Sequence, residues 1–181
     1  MGAIRGLARG ERIYAARMFG DKGYIVTFRQ TDPLFTVDLS NPHEPRVVGE
    51  LKVNRFSSYI HPLDRDHLLT IGQEADDRGR RLGAHLQIFD VRDFKHPRRT
   101  HHYQLHQLGP YAQSAAQQSH RAFTYDPRTR VLAIPLVYNN HAKRDAFNGL
   151  LLLRAGAQGF EELGRVSHAS LWPQARPRAP R

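Results

Sequence analysis

The sequence predicts an all-β fold in which about three four-stranded antiparallel units repeat along the chain. Three observations predict it: a pattern that recurs at an offset of 52 residues, short apolar runs of strand type between turn signals, and prolines and glycines spaced too closely for long helices. The 181 residues, 40% of them hydrophobic, suffice for one domain with its own core or for part of a larger protein.

The repeat is clearest where the third strand of a unit ends. Val37-Asp38-Leu39 and Phe89-Asp90-Val91 both place an apolar-Asp-apolar step ahead of a Pro-Arg pair at the same spacing. A carboxylate at a strand end can accept hydrogen bonds from backbone N–H groups of the following turn. We therefore interpret Asp38 and Asp90 as turn residues rather than catalytic ones.

Each unit is interpreted as four short strands separated by turns. The first strands are predicted at 14–18, 58–63 and 120–125, the second at 24–28, 67–72 and 131–136, and the fourth around 47–51, 100–105 and 163–166. The second strands are apolar at consecutive positions rather than alternate ones, which predicts that both of their faces are buried.

Four-stranded units covered on both faces predict a β-propeller, in which each sheet is a blade packed between its neighbours. The predicted blades are residues 11–53, 57–105 and 116–168, after a linker at 1–10 and before a disordered Arg/Pro tail at 169–181. Known propellers close with about four to eight blades. We therefore expect a propeller fragment whose ring this chain alone does not close, and which associates with missing blades or with itself.

The chain also resembles a known family over roughly residues 6–166. The resemblance is carried by 10–34, Val37-Asp38-Leu39-Ser40, Gly49-Glu50-Leu51-Lys52, 57–62, Ile88-Phe89-Asp90-Val91 and His120-Arg121-Ala122-Phe123. These segments are similar to secreted bacterial proteins that carry a C-terminal β-propeller domain, a family of unknown function. Ser119 and Arg92 depart from the pattern, because an acidic residue and a serine are expected there.

The resemblance implies a β-propeller without an established enzymatic activity, of which this chain looks like a partial copy. It also implies that the parent protein is extracellular, attached to the cell surface or periplasmic. This chain opens without the apolar core of a signal peptide, and no run approaches the roughly 18 apolar residues of a membrane-spanning helix. We therefore expect no signal peptide in this chain and no transmembrane segment.

Composition excludes several function classes. The chain has no cysteine, which rules out a disulfide scaffold, a thiolate zinc site and a cysteine nucleophile. Its formal net charge is +10, but the 27 basic residues are scattered and are not interleaved with aromatic residues as a nucleic-acid platform requires. We expect no specific nucleic acid as a partner.

Candidate site residues lie on the predicted first strands, which are innermost in a propeller. Arg17, Tyr59 and Arg121 are the candidates for facing the central channel. His61 and His120 come from neighbouring units, and we identify them as a candidate pair of divalent-metal ligands. The competing interpretation is that both histidines are hydrogen-bonded structural residues.

Two further clusters are weighed against structural interpretations. Glu74, Asp76 and Asp77 form a candidate calcium loop, but the spacing does not fit an EF-hand and nearby arginines oppose it, so a long polar hairpin is favoured.

His101 and His102 are adjacent and point to opposite faces of a strand, so at most one of them can join a site with His96 or His106. Exposed edge-strand histidines are the favoured interpretation.

No sequence motif identifies an enzyme. The chain lacks a nucleophile elbow, a phosphate loop and a dinucleotide fingerprint. We therefore expect a non-catalytic binding or scaffold module of an exported bacterial protein, with a protein or a glycan as its partner. The alternative is a metal-dependent hydrolase with His61 and His120 in the channel, and a divalent metal ion is the one cofactor considered.

Overall fold

The computed structural model describes residues 2–28, 32–53, 56–75, 80–140 and 145–168. In this part of the chain, 12 strands form three four-stranded antiparallel sheets, and each sheet keeps its strands in chain order.

Blade 1 contains β1 (Arg12–Phe19), β2 (Lys22–Phe28), β3 (Asp32–Asp38) and β4 (Arg46–Val53). Blade 2 contains β5 (Phe56–Pro62), β6 (His67–Ala75), β7 (Arg81–Asp90) and β8 (Arg98–Gln104). Blade 3 contains β9 (Thr124–Asp126), β10 (Val131–Asn140), β11 (Asp145–Gly156) and β12 (Gly159–Ser167). The predicted all-β architecture of three four-stranded antiparallel blades is confirmed.

Blade 2 is packed on both faces. Leu68 in β6 and Phe89 in β7 belong to a core shared with blade 1, whereas their chain neighbours Leu69 and Ile88 belong to a core shared with blade 3. Successive residues of a strand point to opposite faces, so consecutive apolar positions supply both cores at once. The expected burial of both faces is confirmed for this blade.

Blade 3 differs from that expectation. In β10 the fully buried residues alternate with partly exposed ones, since Leu132 and Ile134 are buried whereas Val131 and Ala133 are not. The second-strand prediction is therefore wrong here. Among the described residues, one face of β10 packs on blade 2 and no further sheet covers the other.

The turns after the third strands follow the sequence prediction. β3 ends at Asp38, whose Oδ1 accepts a hydrogen bond from the Ser40 backbone N–H at 2.9 Å. β7 ends at Asp90, whose Oδ1 accepts one from the Arg92 backbone N–H at 3.1 Å. The interpretation of both aspartates as turn residues is confirmed.

The first strand of blade 3 is shorter than predicted. Residues 120–125 were expected to be extended, but His120–Ala122 is a 3₁₀ helix and β9 begins at Thr124. Local bonds replace sheet pairing there, because the backbone N–H of Phe123 donates to the carbonyl of His120 at 3.1 Å. Two more 3₁₀ helices, Leu105–Gln107 and Ala115–Gln117, precede it in the segment between blades 2 and 3.

Close approach of blades 1 and 2 requires a glycine in β4. A Cβ atom on Gly49 would lie 2.6 Å from the backbone oxygen of Lys95 and 2.7 Å from that of Phe94, both in the turn that follows β7. We expect Gly49→Ala to lower the free energy of unfolding by about 1–2 kcal/mol, because backbone atoms must move to admit the methyl group. Denaturant titration of the purified chain measures the loss.

Gly156→Ala is the control for that substitution. Its added Cβ would meet only the Arg130 side chain, at 3.6 Å, which is ordinary van der Waals contact. We expect a change within about 0.5 kcal/mol, as for most substitutions away from special features. Equal effects of the two alanines would show that the blades do not meet at Gly49.

Candidate functional site

Two of the predicted channel residues meet where the first strands of blades 1 and 2 lie side by side. The Arg17 guanidinium carbon lies 4.8 Å from the centroid of the Tyr59 ring, a cation–π distance. The Tyr59 hydroxyl lies 3.4 Å from Nδ1 of His61. Arg121, the third predicted channel residue, is exposed on the last 3₁₀ helix. That these side chains face a channel stays a prediction.

His61 is enclosed by aromatic side chains. Its ring centroid lies 5.2 Å from that of Phe123 and 5.3 Å from that of Tyr125, both from the start of blade 3. Burial, and then the positive charge of Arg17, lowers the pKa of His61 below its usual value. The surroundings therefore favour a neutral imidazole.

The predicted metal pair receives no support from this arrangement. His120 is exposed and lies on the 3₁₀ helix, outside β9. Within the described residues, the group of three metal-ligating side chains with close ligand atoms contains neither His61 nor His120. Their joint coordination of a metal stays a prediction, and no contact here favours the hydrolase alternative.

The predicted calcium loop is only partly described. Asp76 and Asp77 lie outside the described residues. Glu74 belongs to β6 and is 0% exposed. Its carboxylate is therefore buried on one face of blade 2, beside histidine side chains.

Three potential metal ligands converge on one face of blade 2. Glu74, His85 and His102 lie on β6, β7 and β8, and their ligand atoms all lie within 4.8 Å of one another. Strand register explains this convergence, because Gly72 pairs with His85 and Gln87 pairs with His102. Paired residues share a face, and so do residues two apart on one strand.

The Glu74 carboxylate is held from two sides. Oε1 accepts a hydrogen bond from Nε2 of Gln104 at 2.6 Å, and Oε2 lies 3.2 Å from Nδ1 of His106. His106 belongs to the 3₁₀ helix that directly follows β8. We refer to Glu74, His85, His102 and His106 as the blade 2 polar cluster.

Sequence reasoning reached this cluster only in part. It allowed one of His101 and His102 to join His106, but it did not connect them with His85 or Glu74. Residues two apart on one strand share a face of the sheet. Glu74 and His85 can therefore be assigned to one face once the register of the β6–β7 hairpin is known. That register depends on the loop length and on a bulge near Glu74, and the sequence alone does not specify either.

Two adjoining cavities border the loop that follows β8. They measure about 410 and 500 Å³. Both are lined by Pro110, Tyr111 and Asn140. The first also includes Leu82, His106, Gln107, Leu108, Gly109 and Asp145, and the second also includes Gln113, Val137, Tyr138 and Asn139. Apart from His106, sequence reasoning did not single out any residue that lines these cavities, because no motif marks them.

Tyr111 is the most unusual residue of these cavities. Its side chain is 69% exposed and its φ is 52°, in the left-handed region that a tyrosine rarely adopts. Backbone hydrogen bonds hold the two residues that follow it. Ala84 in blade 2 donates to Ala112 at 2.7 Å, and Gln113 donates to Val137 in blade 3 at 2.9 Å. The ring is therefore presented to solvent from an anchored loop.

Comparison with known proteins adds the family context. A family model described as "Beta propeller domain" matches residues 1–178. An uncharacterised protein of Archaeoglobus fulgidus is 40% identical over 141 residues, and one of Methanocaldococcus jannaschii is 37% identical over 142 residues. Each alignment covers 78% of this chain and 21% of the relative. The chain therefore spans about a fifth of the length of these relatives. In the part that the structure describes, no helix is long and apolar enough to cross a membrane.

Proposed function

This chain belongs to the beta propeller domain family, and from that premise we propose that it is a non-catalytic binding module of an exported protein that recognises a glycan around Tyr111. The observation that carries the proposal is an exposed, conformationally strained tyrosine between two cavities. Export is supported by the resemblance to secreted bacterial proteins. A protein partner is the competing occupant, and the experiment below separates the two.

The chemistry of the cavity walls matches a saccharide. A sugar ring has apolar C–H faces and a rim of hydroxyl groups, so it needs both an aromatic surface and short polar side chains. Tyr111 supplies the ring, while Gln113 and Asn139 supply amides that donate and accept hydrogen bonds. Asp145 adds a carboxylate acceptor in the neighbouring cavity. Cavities of this size fall within the range of about 300–1,000 Å³ that small ligands occupy.

The backbone of Tyr111 supports a functional role for the loop. A tyrosine in the left-handed region costs of order 1–3 kcal/mol, and such strain persists only where the surroundings impose it. The Ala84–Ala112 and Gln113–Val137 hydrogen bonds fix the two residues that follow Tyr111 and so anchor the loop. A glycine at position 111 would avoid the strain, so the presence of a tyrosine there supports a role for its side chain.

We expect Tyr111→Gly to separate binding from stability. The variant should lose affinity by roughly 30-fold, as for loss of an aromatic hot spot of about 2 kcal/mol. It should also be at least as stable as the wild type, because glycine relieves the strained φ. The wild type is screened on an array of oligosaccharides, the dissociation constant of the strongest glycan is measured for both proteins, and thermal unfolding is recorded in parallel.

Tyr111→Phe and Tyr14→Gly provide controls. The phenylalanine keeps the ring and should retain most of the affinity, whereas Tyr14 is 41% exposed on β1 and lies outside both cavities. A blank array from a folded wild type would overturn the glycan proposal. So would a glycan that binds Tyr111→Gly as tightly as the wild type, or a protein partner that competes for Tyr111.

A further inference from the structure

We infer that the blade 2 polar cluster is a divalent transition-metal site, in which Glu74, His85 and His102 are ligands and His106 holds the Glu74 carboxylate from outside. The inference is independent of the proposed glycan site. It rests on the convergence of two imidazoles and a carboxylate on one face of a sheet, with ligand atoms all within 4.8 Å of one another. Nitrogen and carboxylate ligands in this combination suit zinc, cobalt, nickel or ferrous iron.

The distances are close to those that a metal needs. Metal–ligand bonds of about 2.0–2.1 Å place the ligand atoms of a tetrahedral site about 3.3 Å apart. A bound ion would draw the ligand atoms together from within 4.8 Å through rotation of the Glu74 side chain and of the two rings. The His85 and His102 rings lie at 74° with centroids 5.3 Å apart, an edge-to-face arrangement.

Burial gives the cluster a reason to take up a cation. Glu74 and His85 are both 0% exposed. A carboxylate removed from water loses a large hydration free energy, which a bound cation offsets directly. The hydrogen bond from Gln104 to Oε1 leaves Oε2 directed towards the histidines, which is how an outer-shell partner orients a ligating carboxylate.

A second observation points to a missing partner at the same face. Gln87 is 0% exposed and lies opposite His102 in the strand register. Neither its amide nitrogen nor its amide oxygen has a hydrogen-bond partner among the described residues. Buried amides are almost always hydrogen-bonded, so a ligand or an ordered water coordinated beside the cluster would satisfy this group.

His106 connects the cluster to the surface. Its side chain is 29% exposed and lines the cavity of about 410 Å³ beside blade 3. The imidazole therefore contacts Glu74 on one side and solvent on the other. We therefore place the entry of the metal ion on the side of His106.

Cobalt titration tests the site on the full chain. Protein stripped with a chelator is expected to bind one Co²⁺ per chain with the intense visible absorption of tetrahedral cobalt, and Zn²⁺ is expected to displace it. We expect His102→Gln to weaken Co²⁺ binding by about 100-fold or more, since loss of an outer-shell partner alone costs 10–100-fold. His101→Gln is the matched control, because the neighbouring residue lies on the opposite face of β8.

Folding of each variant is verified by circular dichroism. If His102→Gln does not fold, His106→Ala at the partly exposed position provides the comparison, with an expected loss of about tenfold or more. Absence of Co²⁺ binding by the folded wild type would overturn the inference and would leave the cluster as a structural group of polar side chains. Equal affinities of His102→Gln and His101→Gln, or an octahedral spectrum unchanged in both, would overturn it as well.

Discussion

Replacement of Phe89 by alanine is expected to lower the free energy of unfolding by about 3–5 kcal/mol. Phe89 is 1% exposed and is among the largest side chains in the core between blades 1 and 2. It packs in one cluster with Tyr24 and Leu34 of blade 1 and with Ile60 and Leu68 of its own blade. Removal of the ring leaves a cavity that rigid sheets on both sides cannot close.

Urea unfolding followed by fluorescence and by circular dichroism measures this effect. Val166→Ala serves as the control, because Val166 is 49% exposed on β12. We expect the control to stay within about 0.5 kcal/mol of the wild type. A Phe89→Ala protein as stable as this control would mean that blades 1 and 2 do not share a core.

The second large effect concerns Asp90, whose substitution by alanine is expected to cost about 2–3 kcal/mol. The carboxylate is almost fully buried. It accepts hydrogen bonds from the guanidinium groups of Arg92 and Arg98, and the shortest bond from each measures 2.6 Å and 2.9 Å, respectively. It also accepts one from the Arg92 backbone N–H. It therefore joins the end of β7 to the start of β8. The cost is moderate because the two guanidinium groups are 60% and 68% exposed and can be rehydrated.

Asp38→Ala is the internal control, since Asp38 occupies the equivalent position of blade 1. Its carboxylate accepts the Ser40 backbone N–H, and the Arg46 guanidinium pairs with Glu44 instead. We expect a much smaller loss of stability than for Asp90→Ala. Similar losses at the two positions would show that the arginine contacts of Asp90 add nothing.

The contribution of Asp90 should depend on pH in a defined direction. Hydrogen bonds from the Arg92 side chain, in first place, hold the pKa of Asp90 far below its usual value. A carboxyl group whose pKa is lower in the folded state than in the unfolded state stabilises the native state at pH values above its unfolded-state pKa, near 3.9. This stabilisation is lost as the pH falls towards the folded-state pKa. The difference in unfolding free energy between wild type and Asp90→Asn should therefore be constant from about pH 5 to 7 and shrink below about pH 4. A difference that grows on acidification would contradict this assignment.

The repeat pattern predicted much of the local structure. The strand ends at Asp38 and Asp90 and the turn hydrogen bonds that follow depend on residues within a few positions of each other, so the sequence pattern contains that information. Arg92 was noted as a departure from the family pattern, and its side chain forms the strongest contact of Asp90. The pattern did not predict that Arg98 would join it, because that contact depends on pairing between β7 and β8.

The least predictable features were those that depend on register and on loop conformation. His120 was expected on a strand, but local 3₁₀ bonds at 120–122 displace the strand start. The loop of Tyr111 is anchored by hydrogen bonds that join Ala112 to Ala84 of blade 2 and Gln113 to Val137 of blade 3, and both partners are distant in sequence. No pattern near position 111 indicates either blade.

The sequence pattern alone determined that this chain forms three four-stranded sheets, because strand formation is nearly a local property. Burial of both faces of a sheet depends on neighbouring blades and is seen for blade 2 but not for blade 3. Tertiary structure decided which side chains meet across those sheets. Glu74, His85 and His102 come together only after β6, β7 and β8 pair in one register, and a shift of one strand by one residue would turn its member of the group to the opposite face. Site chemistry in this fold therefore depends on long-range pairing, whereas the architecture can be predicted from short-range pattern.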